Sequence, residues 1–308
     1  MANLIRNYNT TVNAYVNQCN ASIKTILQSR LTNSVKTYRV NIIKSNFQTQ
    51  LNILRNKLNA ALADIPIISN KNALLVGCNY LGTPNQLSGC VNDVNDIKRQ
   101  IVTYGFNIVT ITDADATRAN IITAFTNLLV NSKPGDVLFF AFSGHGAFSV
   151  DPNSVQTEGG DEYIVTVDMR SIADFEFNAI IQTNLKKGVT LFAMFDSCHS
   201  GTMLNLRYRY LETVSHNQDA ENIHNTETAG SVVMISGCAD TQTSADAYIN
   251  AMVQGAMSWA LLASLKTNTT WSGLLTNMRT LLQESQYTQI PQLSSGNKIN
   301  INSRISFI

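Results

Sequence analysis

The chain has 308 residues, enough for one large domain or a domain with an extension, and its 44% hydrophobic share supports a sizeable core. No stretch approaches the roughly 20 apolar residues needed to span a bilayer, and the N-terminus lacks the compact apolar segment of a secretory leader. Five scattered cysteines, an odd number, do not read as a disulfide framework, so a reducing, cytoplasmic setting with no membrane association is expected.

The net charge of +1 is unevenly spread. Residues 1–66 hold eight Lys/Arg against one acid, Asp64, a net +7, which leaves −6 on the remaining 242 residues. A basic arm thus precedes an acidic body. Such asymmetry suits nucleic-acid or membrane binding, or docking of the arm on the body. Few aromatic residues interleave the arm's charges for base stacking, which argues against nucleic acid.

Within the arm, Ile5, Tyr8, Val12, Val16, Cys19, Ile23 and Ile26 recur at steps of three and four, as do Phe47, Leu51, Leu54, Leu58 and Leu62. That spacing predicts two amphipathic helices over 1–63, with a turn near Thr32 to Ser34. Beyond "DIPIISN" short apolar runs alternate with helical patterns. Strands are expected at 73–77, 107–111, 136–142, 163–167, 189–195 and 231–236. Helices are expected near 90–104, 117–130, 174–184, 255–266 and 271–284. This alternation predicts an α/β fold, a mostly parallel sheet with helices on both faces. Residues 67–202 form a first part of that domain, 203–230 a polar linker and 231–308 a second part. The stretch "HNQDAENIHNTETAG" (216–230) reads as an exposed, cleavable loop.

Two strand ends carry the chemistry. "TLFAMF" runs into "DSCHSG", and "FFAF" runs into "SGHGAF". Neighbouring residues of an extended chain point to opposite sides, so His199 is poorly placed to serve Cys198. His145, after a second buried strand, reaches the same carboxyl edge, where open α/β sheets put their sites. An imidazole there can accept the thiol proton and yield the nucleophilic thiolate. Backbone N–H groups of Cys198 and Gly146 can steady an oxyanion. Taken singly, a cysteine after a strand is more often a small core residue, and Gly-His-Gly more often a turn. The ordered pair is the specific signal. A lone "CH" with no second pair does not resemble a zinc site.

With these motifs on the page, the chain resembles a metacaspase, a caspase-fold cysteine peptidase. The likeness runs through "NALLVGCNY", "LSGCVNDVNDI", "FFAFSGHGAF", "GGDEYIVTVD", "IADFEF", "FDSCHSG", "VVMISGCADTQTSAD", "GAMSWALLASL" and "YTQIPQLSSG", about residues 72–296. It implies cleavage of peptide bonds after Arg or Lys, where caspases cut after Asp, and self-processing. A cationic side chain needs carboxylates in its pocket. Asp196, two residues before the cysteine, supplies one, and Asp93 matches the family's other pocket acid, with Cys90 and Ser143 at further lining positions. The residues also allow structural roles: a helix-start carboxylate for Asp93 and a hydrogen-bonding one for Asp196.

The resemblance further implies a calcium site, of which Asp161 and Asp174 match two positions. Phe175 and Asn205 stand where the family carries aspartate, and calcium wants six to eight oxygens, several of them anionic. Weak or absent calcium dependence is expected, with Glu176 and Asp168 the nearby acids able to compensate. No cofactor is otherwise required. The basic helical arm is unlike the family's common prodomains and suggests intramolecular inhibition by residues 1–66 of a monomeric enzyme acting on protein or peptide substrates. The alternative is a catalytically weak caspase-fold scaffold that assembles through the arm.

Overall fold

The computed structural model describes residues 2–63, 71–150, 160–198, 200–210, 220–237, 246–249 and 252–308. Two compact units divide the chain, residues 1–66 and 67–308.

The first unit is a helical hairpin of α1 (Ala2–Gln28) and α2 (Asn33–Ala63), which pack on each other. The break falls at 29–32, slightly earlier than the expected turn. Lys36 fixes it there: its backbone N–H donates to the Thr32 carbonyl at 3.0 Å, and its Nζ donates to the Leu27 carbonyl at 2.9 Å. A cation on the last carbonyls of a helix suits the negative end of its dipole. Leu27, Tyr38, Ile42 and Ile53 remain exposed.

The second unit begins with β1 (Lys71–Gly77), α3 (Cys90–Ile101), β2 (Asn107–Thr112), α4 (Arg118–Val130) and β3 (Val137–Ser143). Next come β4 (Gly146–Val150), β5 (Gly160–Val165), β6 (Ser171–Ala173), α5 (Asp174–Asn184) and β7 (Thr190–Asp196). The chain continues through β8 (Tyr208–Tyr210), β9 (Ala220–Glu221), β10 (Ser231–Ser236), β11 (Asp246–Ile249) and β12 (Met252–Gly255). It closes with α6 (Ala256–Leu265), α7 (Trp271–Glu284) and β13 (Gln292–Ser295).

The main sheet has the order β2-β1-β3-β7-β10-β13-β8-β9. Its first five strands run parallel, and β13, β8 and β9 each pair antiparallel with their neighbours. Burial on both faces explains why the parallel strands read as continuous apolar runs. Phe139 and Phe140, consecutive on β3, point to opposite faces. Phe139 meets Phe106, Phe192 and Phe307, while Phe140 meets Phe125, Phe177 and Phe195. Trp271 stacks on Phe192 with centroids 5.6 Å apart and is a core residue. No helix among the described residues is long and apolar enough to cross a membrane.

Two expectations need correction. The apolar run at 163–167 is not a strand of the main sheet. Its residues 163–165 belong to β5, the middle of a separate antiparallel sheet β4-β5-β6, because the chain reverses immediately after His145. The stretch 216–230, expected as an exposed loop, is in part a strand, since β9 pairs with β8 at the edge of the main sheet. Residues 211–219 lie outside the described residues, as does the junction between the two units at 64–70.

Candidate active site

Strands β3 and β7 are hydrogen-bonded neighbours, and their last registered pair is Ser143 with Asp196. His145 and Cys198 each come two residues after that pair. Adjacent strands lie about 4.8 Å apart, so both residues leave the sheet at one point on its carboxyl edge. Between them the backbone is tied, the Gly144 N–H donating to the Asp196 carbonyl at 3.2 Å. Gly146 then sits against the nucleophile turn. A Cβ there would fall 2.0 Å from the Cys198 carbonyl oxygen, so only glycine allows this approach. The residue after the histidine is thus packed on the backbone of the cysteine. Cys198 is partly exposed and in no disulfide, while Ser197 and Ser200 on either side of its turn are buried. His199 lies outside the described residues.

The histidine is held by the loop that joins β1 to α3. Its Nε2 lies 2.7 Å from the Asn85 carbonyl oxygen. A carbonyl only accepts, so Nε2 carries the proton in this bond and Nδ1 is the nitrogen left basic. The His145 backbone N–H donates to the Tyr80 hydroxyl at 2.8 Å. Neither Asn85 nor Tyr80 was expected from the sequence. Asn85 acts through its main chain, which no side chain advertises.

Two of the acids expected to line a pocket, Asp93 and Asp196, converge on the start of α6. Asp93, in the first turn of α3, accepts from Ser143 Oγ at 2.6 Å and from the Gly255 N–H at 2.8 Å. Asp196 accepts at Oδ2 from the Ser258 N–H at 2.9 Å and from Ser258 Oγ at 2.7 Å. Both carboxylates are buried, with 1% and 4% exposure. They crowd Gly255, where a Cβ would lie 2.1 Å from Asp196 Oδ2 and 2.9 Å from Asp93 Oδ2. Helix N–H groups and the dipole of α6 offset part of this charge. Cys90 is buried at the first residue of α3. Gly255 and Ser258 complete the arrangement, and the sequence reading missed both, because the partners lie 162 and 62 residues apart.

The acids of the implied calcium site are differently engaged. Asp174 is fully buried and spends both oxygens on main-chain donors, Glu162 N–H at 3.2 Å and Phe175 N–H at 2.5 Å. Asp161 lies on β5, opposite Ser149 of β4. The two acids that could have compensated both serve Arg118. Glu176 forms an ion pair with its guanidinium, and Asp168 accepts its backbone N–H at 3.0 Å. Phe175 is exposed, and the Asn205 carbonyl accepts from Asn178 Nδ2 at 3.1 Å. Among the described residues no group of three or more His, Cys, Asp or Glu is placed to hold a metal. These residues do not fit a calcium ion, which needs several anionic oxygens at once.

Comparison with known proteins agrees with this architecture. The family model described as metacaspase, peptidase C14 domain, matches residues 71–207. Metacaspase-1 of Meyerozyma guilliermondii is 35% identical over 76% of this chain and 71% of its own length. Metacaspase-1B of Aspergillus fumigatus is 34% identical over 75% and 71%. Among solved structures, a protein from Geobacter sulfurreducens superposes with a TM-score of 0.58 at 25% identity, covering 76% of this chain and 97% of that one. Caspase-1 from Spodoptera frugiperda, at 12% identity, shares the fold with a TM-score of 0.50, over 73% and 86%. With these relatives 34–35% identical over three quarters of the chain, and a family-model match that includes both strand ends carrying His145 and Cys198, the chain belongs to the metacaspase family of caspase-fold cysteine peptidases.

Proposed function

We propose that the protein is a cysteine endopeptidase that hydrolyses peptide bonds after Arg or Lys, with Cys198 as nucleophile and His145 as its base. In this reading His145 Nδ1 takes the Cys198 thiol proton and the sulfur attacks the scissile carbonyl carbon. The oxyanion is met by the backbone N–H groups of Cys198 and Gly146. The leaving amine takes the proton back from the imidazolium, and water hydrolyses the thioester. The observation that carries the reading is the contact of Gly146 with the Cys198 carbonyl oxygen, beside a parallel register that ends at Ser143 and Asp196.

The preference for a basic residue is supported by Asp93 and Asp196. Two buried carboxylates crowded around Gly255 repel each other, and a guanidinium or ammonium beside them relieves that repulsion. An acidic side chain would worsen it. Fluorogenic peptides with Arg, Lys or Asp before the scissile bond, given to the wild type and to Cys198→Ala, test the whole reading. Turnover of the Arg and Lys peptides, lost in the mutant, supports it. Silence of the wild type towards all three would leave a scaffold that assembles through residues 1–66.

We further propose that turnover does not need calcium, because Phe175 and Asn205 replace two anionic ligands and Asp174 is committed to backbone N–H groups. Activity unchanged by a chelator and by added calcium is the expected outcome. Residues 1–66, with net charge +7 against −6 on the rest, are read as an inhibitory segment of a monomer working in a reducing compartment. Their removal should then raise kcat/KM on a small basic peptide.

A further inference from the structure

We infer that Tyr80 is the positioning residue of the proposed base, holding His145 through its hydroxyl and its ring. The inference rests on the dyad reading above. Tyr80 follows the end of β1, is fully buried, and has φ of 52°. A bulky residue in the left-handed region is uncommon and stays there only where its surroundings demand it. Here those surroundings centre on the histidine.

The Tyr80 hydroxyl donates to the Val165 carbonyl at 2.6 Å and accepts the His145 backbone N–H at 2.8 Å. The Val165 N–H in turn donates to the His145 carbonyl at 2.9 Å. His145, Val165 and the phenol therefore form a closed circuit that grips the histidine main chain at both its polar groups. The two rings also face each other, with centroids 4.7 Å apart and planes inclined by 32°. Five residues further along the same loop, the Asn85 carbonyl takes Nε2. One loop thus fixes the histidine backbone and the far side of its ring, leaving Nδ1 to serve the thiol.

The loop is itself braced. Asn79 receives the Leu87 N–H on its carbonyl at 2.8 Å, donates its own N–H to Asp113 Oδ1 at 2.9 Å, and accepts the Val91 N–H on Oδ1 at 3.3 Å. Thr83 caps the Tyr80 carbonyl with both its N–H, at 3.2 Å, and its Oγ1, at 2.7 Å. Burial pushes the phenol pKa well up, so the hydroxyl keeps its proton and its donor role across the working pH range. A tyrosine wanted only for packing has no need of this double hydrogen bond, which a phenylalanine could not make.

The test removes the hydroxyl and keeps the ring. Tyr80→Phe, in the full chain, should lower kcat per titrated active site by about 10- to 100-fold, the cost of a base displaced by a fraction of an ångström, with KM within about twofold of wild type. The Cys198 alkylation rate with iodoacetamide, read on its own peptide by mass spectrometry, should fall in parallel. Folded Tyr80→Phe with wild-type kcat would overturn the inference. Should Tyr80→Phe not fold, 3-fluorotyrosine placed at residue 80 keeps the shape and weakens the acceptor. A several-fold loss of kcat then supports the assignment and an unchanged kcat overturns it. His145→Ala run alongside separates the two readings: full activity there sinks the dyad itself, whereas its loss beside an unaffected Tyr80→Phe sinks only the role of Tyr80.

Discussion

Two thiols stand at the carboxyl edge of the same sheet, and their surroundings differ in nearly every respect. Cys78 directly follows β1, and Cys198 comes two residues after β7. Cys78 is wholly buried, and its N–H is tied to the Ser143 carbonyl at 3.0 Å. Burial first, and the nearby Asp113 carboxylate second, push its thiol up to about 12. Cys198 is partly exposed, on a turn whose carbonyl lies against Gly146. A strand end at the functional edge is therefore not enough to make a nucleophile. In the proposed reading the nucleophile also needs an opening to solvent, and of these two thiols Cys198 alone has one.

That contrast can be broken most directly by exchanging the sulfurs. Cys198→Ala should lower kcat/KM on an Arg peptide by at least about 10³-fold, while Cys78→Ala should stay within a few-fold of wild type. Comparable losses in both would erase the distinction. Next in size is Gly146→Ala, whose new methyl would meet the Cys198 carbonyl oxygen, a backbone atom with little freedom to yield. A loss of about 100-fold in kcat is expected, with the protein still folded by circular dichroism.

A smaller effect is expected at the pocket. Ser258→Ala removes one of the two Ser258 donors to Asp196 Oδ2 while leaving the backbone N–H in place. A hydrogen bond to a charged group contributes about 1.5 kcal/mol or more, so KM for the Arg peptide should change by at least about tenfold, with kcat less affected. An unchanged KM would separate Ser258 from the pocket.

The smallest effect concerns pH. The native state holds the Cys78 proton more tightly than the unfolded chain does. The resulting stability is fully present below the unfolded thiol value of about 8.5, and it is lost as pH rises towards about 12. Urea midpoints measured at pH 8 and pH 10.5 should fall further for the wild type than for Cys78→Ala. Equal falls would remove the claim that this thiol is held neutral by the fold.

The strands β1, β3, β7 and β10 were legible because burial on both faces demands uninterrupted apolar runs, and such runs are local. The helices α3, α4, α5 and α7 were legible for a similar reason, through their apolar periodicity and their order between strands. What went unread was of another kind. Nothing in "GGDEYIV" separates a strand of the main sheet from one of the small antiparallel sheet, since both alternate or run apolar over the same length. The short strands β8 and β9 are polar, because they lie at an edge where little is buried.

The pair His145 and Cys198, the acids Asp93 and Asp196, and the non-acidic Phe175 and Asn205 all stood in the amino-acid order, because residue type and position in the chain are local properties. The tertiary structure alone decided what surrounds them. It brought the Asn85 carbonyl to Nε2, the Tyr80 hydroxyl to the His145 backbone, and the start of α6 to both carboxylates. These are contacts of main-chain atoms and distant loops. Their partners are chosen by how layers pack and where strands end, which no short stretch of sequence specifies.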